Sequence, residues 1–259
     1  PAQLEFRREV ESRTVDGFLM ASARSQDQIR WIRDQGFPVV NFDGARMHYD
    51  FGTVAIHWAE FICMGVETLS HQGCRRIGLV NPYPLGNPAD NGVDPRIQAF
   101  RITLHRMNRP FYRKFVWDRN FSRFGSEEIG AEERGFWLAK RMFESPCFET
   151  HNPVAREGEL RKLPDGLIVT DDMMARGMLT GLCQMGMKVG REIRVATHAN
   201  KGSPVLDPFK GQLTLLEMDP AEIVREMFSM LEEMMAGCLP RRGFVQVKPV
   251  LRLPEEGAF

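Results

Sequence analysis

Residues 163–178 read LPDGLIVTDDMMARGM, an apolar strand handing over to a helix through two adjacent aspartates, Asp171 and Asp172. Charged side chains are rarely buried without partners, so this pair either caps the helix or faces a ligand. Asp172 reads as a helix N-cap or a first-turn acid favoured by the macrodipole. For Asp171 both roles stay open. Polar residues also follow other apolar segments: Asp43 after FPVVNF, Asn81 after RRIGLV, and His198 with Asn200 after RVAT. In an open parallel sheet, ligands bind beyond the carboxyl ends of the strands, which makes these the candidate binding residues. The set is rich in acceptors and poor in fixed positive charge. It suits a neutral polyhydroxy ligand better than a phosphate, which would call for a Gly-rich loop or an Arg cluster at a helix start. Asp43 also has a plainer use, to start a turn in DGAR.

Signatures of enzymes and cofactors are missing: no GxGxxG follows a strand, and there is no Walker loop, GxSxG elbow or HExxH. The expectation is a protein that is not an enzyme and holds neither cofactor nor metal. His57 and Glu60 lie one helical turn apart and could chelate a metal, but a solvated or capping histidine is the commoner use of that spacing. Glu127, Glu128, Glu132 and Glu133 read as a solvated helix face rather than a catalytic dyad. Between Arg96 and Arg123 basic residues cluster with Phe111, Tyr112 and Trp117 among them. Such a run is a conceivable nucleic-acid surface, but more often it is the outer face of a helix and the strand after it.

These residues need elements to hold them. VDGFLMA and FPVVNFD read as strands with a helix between them, over SQDQIRWIRDQGF. Residues 56–71 place Ala59, Ile62, Val66 and Leu69 on one helical face, Gly73 stops that helix, and RRIGLV is the next strand. A Gly-, Pro- and Asn-rich loop at 82–95 leads to a helix over 96–107 and then to FYRKFVWD as a strand. A helix around residues 125–143, a polar insertion at 151–162, the strand and helix of the Asp pair, the strand EIRVATH, the strand LTLLEM, an amphipathic helix over 220–236 and the closing VQVKPVLRLP complete the chain. Strands alternating with helices over short connections predict an α/β fold with parallel sheets and helices on both faces.

Bulk properties narrow the function classes. Lys plus Arg equal Asp plus Glu at 34 each, so no global field draws the 259-residue chain to nucleic acid or to an anionic membrane. The cysteines number 5, widely spaced and without a CxxC pair, which fits a reducing cytoplasm better than a disulfide framework or a zinc site. No apolar run reaches the roughly 18 residues that a membrane span needs.

VDGFLM, FPVVNFD, GVETLSHQGCRRIGLV, RIQAF, LPDGLIVTDDMMARGML with LCQMGMKVGREIRV, LTLLEMDPAEI and VQVKPVLRLP follow one another in an order that resembles effector-binding domains of the lactose-repressor and galactose-repressor (LacI/GalR) family. The resemblance covers nearly the whole chain. It implies a periplasmic-binding-protein type I fold, with two Rossmann-like lobes and a small effector, of the sugar class by family usage, held in the cleft between them. One lobe would take residues 1–55 plus 219–238, the other 56–218 plus 239–259. Asp43 matches the family's acidic cleft residue, Arg96 an arginine that hydrogen-bonds a sugar hydroxyl, and Asp171 a ligand-contacting Asn or Asp beside its structural partner Asp172. Phe121 and Phe124 lie where the family stacks an aromatic ring on the sugar. A homodimer is implied, as is operator DNA bound through a module that usually precedes this domain and is absent from this chain.

The sequence departs from that pattern in three places. His198 and Asn200 stand where acids are expected, and Met218 stands where Gln is common. The family's first strand, helix and second strand are not found at the start. A solute-binding protein of a sugar transporter shares the fold, although GCRRIGLV is regulator-like, and a domain that only dimerises is a further alternative.

Overall fold

The computed structural model describes residues 7–8, 10–21, 26–42, 52–82, 94–118, 129–144, 163–238 and 242–255. Asp43, Phe121, Phe124, the acids Glu127 and Glu128, and the insertion at 151–162 lie outside them. The chain divides into two compact units, Pro1–His57 with Asp219–Lys248, and Trp58–Met218 with Pro249–Phe259.

The first unit is built on four parallel strands, β1 (Phe18–Met20), β2 (Val39–Phe42), β3 (Gly52–Ile56) and β9 (Phe244–Val247), adjacent in that order. Helix α1 (Gln26–Asp34) covers one face, where Val10, Ile29, Ile32, Phe37 and Val39 form a buried cluster. On the other face lies α6 (Pro220–Met235), whose Ile223, Met227, Met230 and Leu231 are buried. That helix comes close because Gly52 carries no side chain: a β-carbon there would overlap Met230 and Val40. β3 is absent from the sequence reading, which starts a helix at residue 56. All five residues of GTVAI are buried, so the segment lacks the alternation that marks a half-exposed strand.

The second unit holds a six-stranded sheet in the order β10-β8-β7-β6-β4-β5, made of β4 (Ile77–Val80), β5 (Val116–Trp117), β6 (Gly166–Val169), β7 (Arg194–Asn200), β8 (Thr214–Met218) and β10 (Val250–Arg252). All pairs are parallel except β8 with β10. Helices α2 (Trp58–His71) and α3 (Pro95–Arg106) cover one face, while α4 (Ala131–Glu144) and α5 (Asp172–Gln184) cover the other. Alternation along β6 divides the two cores, with Ile168 packing beneath α2 and α3 and Leu167 with Val169 facing α4 and α5. Each such side chain contributes about 1.5–3 kcal/mol relative to exposure. Between α4 and α5 the backbones touch, since a β-carbon on Gly177 would overlap the Glu132 carbonyl and one on Gly135 the Met174 carbonyl.

Several expected boundaries are corrected. FYRKFVWD is a strand only at Val116–Trp117, because Arg113–Phe115 forms a 3-10 turn first. VQVKPVLRLP is two strands in different sheets: Phe244–Val247 pairs with β3 in the first unit, and Val250–Arg252 pairs with β8 in the second. The expected assignment of all of 239–259 to the second lobe therefore fails for Phe244–Val247. Pro249 supplies the break, having no N–H for a continuous ladder. Gly73 and Gly186 do end their helices, with φ of 95° and 75° that suit glycine.

Candidate functional site

The chain runs outward from β4 to β5 on one side and then crosses back to β6, β7 and β8 on the other. This reversal leaves a topological switch point at the carboxyl ends of β4 and β6, the place where open α/β sheets bind ligands. The residue after β4 is Asn81, 2% exposed, and the residue after β6 is Thr170, 5% exposed. The Thr170 hydroxyl donates to Asn81 Oδ1 at 2.5 Å, tying the two strand ends together by their side chains.

Helix α3 delivers the charged members. Asp94 is its N-cap, followed by Pro95 at the first helical position, and Asp94 Oδ1 accepts from the Arg96 N–H at 2.8 Å. The same carboxylate receives the Arg96 side chain as a fork, Nε to Oδ1 at 3.0 Å and Nη2 to Oδ2 at 2.8 Å. The pair is largely buried, with side-chain exposures of 15% for Arg96 and 7% for Asp94. Arg96 Nη1 reaches Asn81 Oδ1 at 3.5 Å, at the limit of a hydrogen bond. Arg96, Asp94, Asn81 and Thr170 are thus one connected network.

Asp171 adjoins it. It is the N-cap of α5, accepting the Met174 N–H on Oδ1 at 2.7 Å, while Asp172 Oδ1 accepts from Met173 N at 2.9 Å. Of the two roles open to Asp172 the structure shows the first-turn acid, while Asp171, whose extended backbone suits a cap, takes the N-cap. Burial raises the Asp171 pKa above the ordinary carboxylate value of 3.8; the Met174 hydrogen bond opposes this, the Asp172 charge adds to it, and His198 opposes it. Burial in turn lowers the His198 pKa below 6.5, against the pull of Asp172 and Asp171. The imidazole packs near Phe61 of α2, ring centroids 6.5 Å apart.

His198 and Asn200 lie inside β7 rather than after it, a correction to the expected strand end. Pairing with β8 continues through Asn200 opposite Met218, which extends β7 beyond its match with β6 at Thr197. His198 consequently stands one step past the end of β6, level with the aspartates. Asn200 faces a small polar recess beside Asp172, Ser203, Asp207, Lys210 and Glu217. Met218 is fully buried.

Asp94 and Thr170 are site residues that the sequence reading did not single out. The pair DP before a helical segment is a start signal that pointed to Asp94. Nothing in the sequence marks Thr170. Among the described residues no group of three or more His, Cys, Asp or Glu could hold a metal ion, and no helix is long and apolar enough to cross a membrane. An open recess of about 620 Å³ beside α4 and α5 is lined by Glu132, Glu133, Phe136, Met173, Gly177 and Thr180. It lacks the convergent polar groups found at the switch point.

Residues 66–253, well over half the chain, match the family described as periplasmic binding protein-like domain. The chain belongs to that family. Solved structures share the fold of this periplasmic binding protein-like domain. A LacI-family regulatory protein from Chloroflexus aggregans superposes with a TM-score of 0.72 at 21% identity, over 97% of this chain and 80% of that one. The transcription regulator CcpA of Lactococcus lactis does so with a TM-score of 0.74 at 17% identity, over 97% and 81%. A LacI family transcriptional regulator from Lactobacillus casei, solved with bound sucrose, gives 0.70 at 18% identity, over 99% and 84%. No curated protein matches this sequence.

Proposed function

We propose that this domain is the ligand-sensing part of a LacI-type transcriptional regulator and that it holds a small polar metabolite, a sugar or sugar derivative. The observation that carries this reading is the network of Asn81, Thr170, Arg96 and Asp94 beside Asp171, buried at the switch point of the second unit. Buried hydrogen-bonding groups discriminate strongly, since leaving one unpaired costs about 1–3 kcal/mol. His198 is the next contact, and Asp43, Phe121, Phe124 and Asn200 are further ligand contacts of the same proposal. The bound sucrose of the Lactobacillus casei regulator supports the sugar class. On this reading the chain is not an enzyme, works in the cytoplasm, and has operator DNA and a second copy of itself as macromolecular partners. The ligand acts by favouring one arrangement of the regulator, and nearly complete switching needs a preference of about 5.5 kcal/mol.

A thermal-shift screen of sugars, sugar acids, polyols and nucleobases tests it, run on the parent and on Arg96→Ala and Asp171→Ala. The expected result is a ligand that raises the melting temperature of the parent and of neither variant. A ligand that stabilises all three equally would remove the site from the switch point. A panel that stabilises nothing would favour a domain that only dimerises.

A further inference from the structure

Arginine is the usual partner of ligand carboxylates and phosphates, because its planar edge offers two parallel N–H donors to two oxygens. In this chain that fork is occupied from within. Nε and Nη2 of Arg96 both donate to the Asp94 carboxylate, at 3.0 and 2.8 Å, in the arrangement a ligand carboxylate would adopt. The remaining terminal nitrogen, Nη1, is directed to Asn81.

The surrounding charges point the same way. The side chains acting on Asp171 are Asp172 and His198, and burial disfavours a charged His198. In the neighbouring recess Lys210 is accompanied by Asp172, Asp207 and Glu217, and Glu217 also pairs with Arg252 at 3.4 Å. Among the described residues acids outnumber bases along this edge of the sheet, so an anion entering it meets repulsion, with the Arg96 fork already engaged by Asp94.

We propose that Asp94 determines the charge class of the ligand: by occupying the fork of Arg96 it reserves the site for uncharged and amine-bearing polyols and turns away carboxylates and phosphates. This rests on the sensing function proposed above. A neutral hydroxyl needs only one N–H from Arg96 and can donate to Asp171. A ligand ammonium gains from the neighbouring acids Asp171 and Asp172.

The test compares matched probes: glucose, glucosamine and glucuronate, the galactose counterparts of each, and ribose with ribose 5-phosphate. Melting-temperature shifts and titration calorimetry are measured on the parent chain and on Asp94→Asn, which retains an oxygen to cap α3 because Asn caps as well as Asp. Asp94→Glu is the control that keeps the charge. In the parent, the neutral or amino member of a series is expected to bind at least about tenfold more tightly than its anionic counterpart, and Asp94→Asn is expected to shrink or invert that ratio while Asp94→Glu preserves its sign. An anionic probe that binds the parent as tightly as its neutral counterpart would overturn the proposal, as would an unchanged ratio in a folded Asp94→Asn chain. If no probe of any charge stabilises the parent, it is the sensing function that fails, and the proposal falls with it.

Discussion

The two ends of the six-stranded sheet both gather charged and polar side chains, yet they use them differently. At the amino end, Asp165 Oδ1 accepts the backbone N–H groups of Arg75 and Arg76 at 2.9 and 2.7 Å, and Arg76 pairs with its other oxygen at 3.2 Å. Arg194 donates to the Gln72 carbonyl, Arg109 to the Ser70 carbonyl at 3.2 Å, and the Cys74 thiol to the Asp165 carbonyl at 3.4 Å. These groups serve the loop that follows α2, holding its backbone against β6 and β7. At the carboxyl end the bonds run between side chains from β4, α3 and β6, so they fix the positions of side chains rather than the course of a loop. Buried charge holds a loop in the first case, and in the second, on the proposed function, it serves recognition while Asp94 and Asp171 also cap their helices.

Breaking each end should separate those roles. The largest effect is expected from Arg96→Ala, which leaves the Asp94 carboxylate buried without its cation: a loss of about 3 kcal/mol in urea unfolding, together with loss of the ligand response. Asp165→Ala strands two backbone N–H groups and should cost about 2–3 kcal/mol by the same measurement, but the chain that remains folded should respond to ligand as the parent does.

Cys74 gives the amino end a pH signature. Burial first, then the Asp165 charge, pushes its thiol pKa from 9.0 up to about 11. A raised folded-state pKa contributes stability that is complete below the unfolded value and disappears as pH rises through the folded one. Unfolding free energy should therefore fall between about pH 9 and 11, by on the order of 2 kcal/mol, and Cys74→Ser should flatten that decline. Thiol labelling at pH 8 should leave Cys74 unmodified until the chain is unfolded.

Asp171 gives the smallest effect on stability. Asp171→Ala removes a cap and should cost about 1 kcal/mol, whereas Asp171→Asn keeps the cap and should change stability by only a few tenths. Because burial disfavours the ionised carboxyl, the Asn variant should be no less stable than the parent at neutral pH. Both variants should lose the ligand response, which would separate recognition by Asp171 from its capping role.

Much of this architecture was legible in the sequence, for identifiable reasons. Helices announced themselves through apolar spacing and terminal glycines, as over Trp58–His71 and Pro220–Met235. The rule that ligands gather after parallel strands drew attention to Asn81 and Asp171. What could not be read depended on pairing across distance. β3 is recognisable only from its neighbours β2 and β9, and the length of β7 only from β8. Which of Asp171 and Asp172 caps the helix and which is its first-turn acid turns on a single residue of phase. Arg96 was singled out by the resemblance as an expected ligand contact, but its pairing with Asp94 depends on the turn of chain that brings the two carboxylate oxygens to the guanidinium edge. Thr170 matters because β4 ends beside it, which no local pattern records.

On the proposed function, the carboxyl end of the second unit's sheet is where this protein senses its ligand. Hydrogen–deuterium exchange of the parent, with and without the neutral sugar that stabilises it best, tests this most directly. Slower exchange at residues 79–82, 94–98 and 169–174, with the loop at residues 72–76 unchanged, is the predicted result. Protection confined to the recess beside α4 and α5, or a uniform slowing that spares no segment, would contradict it.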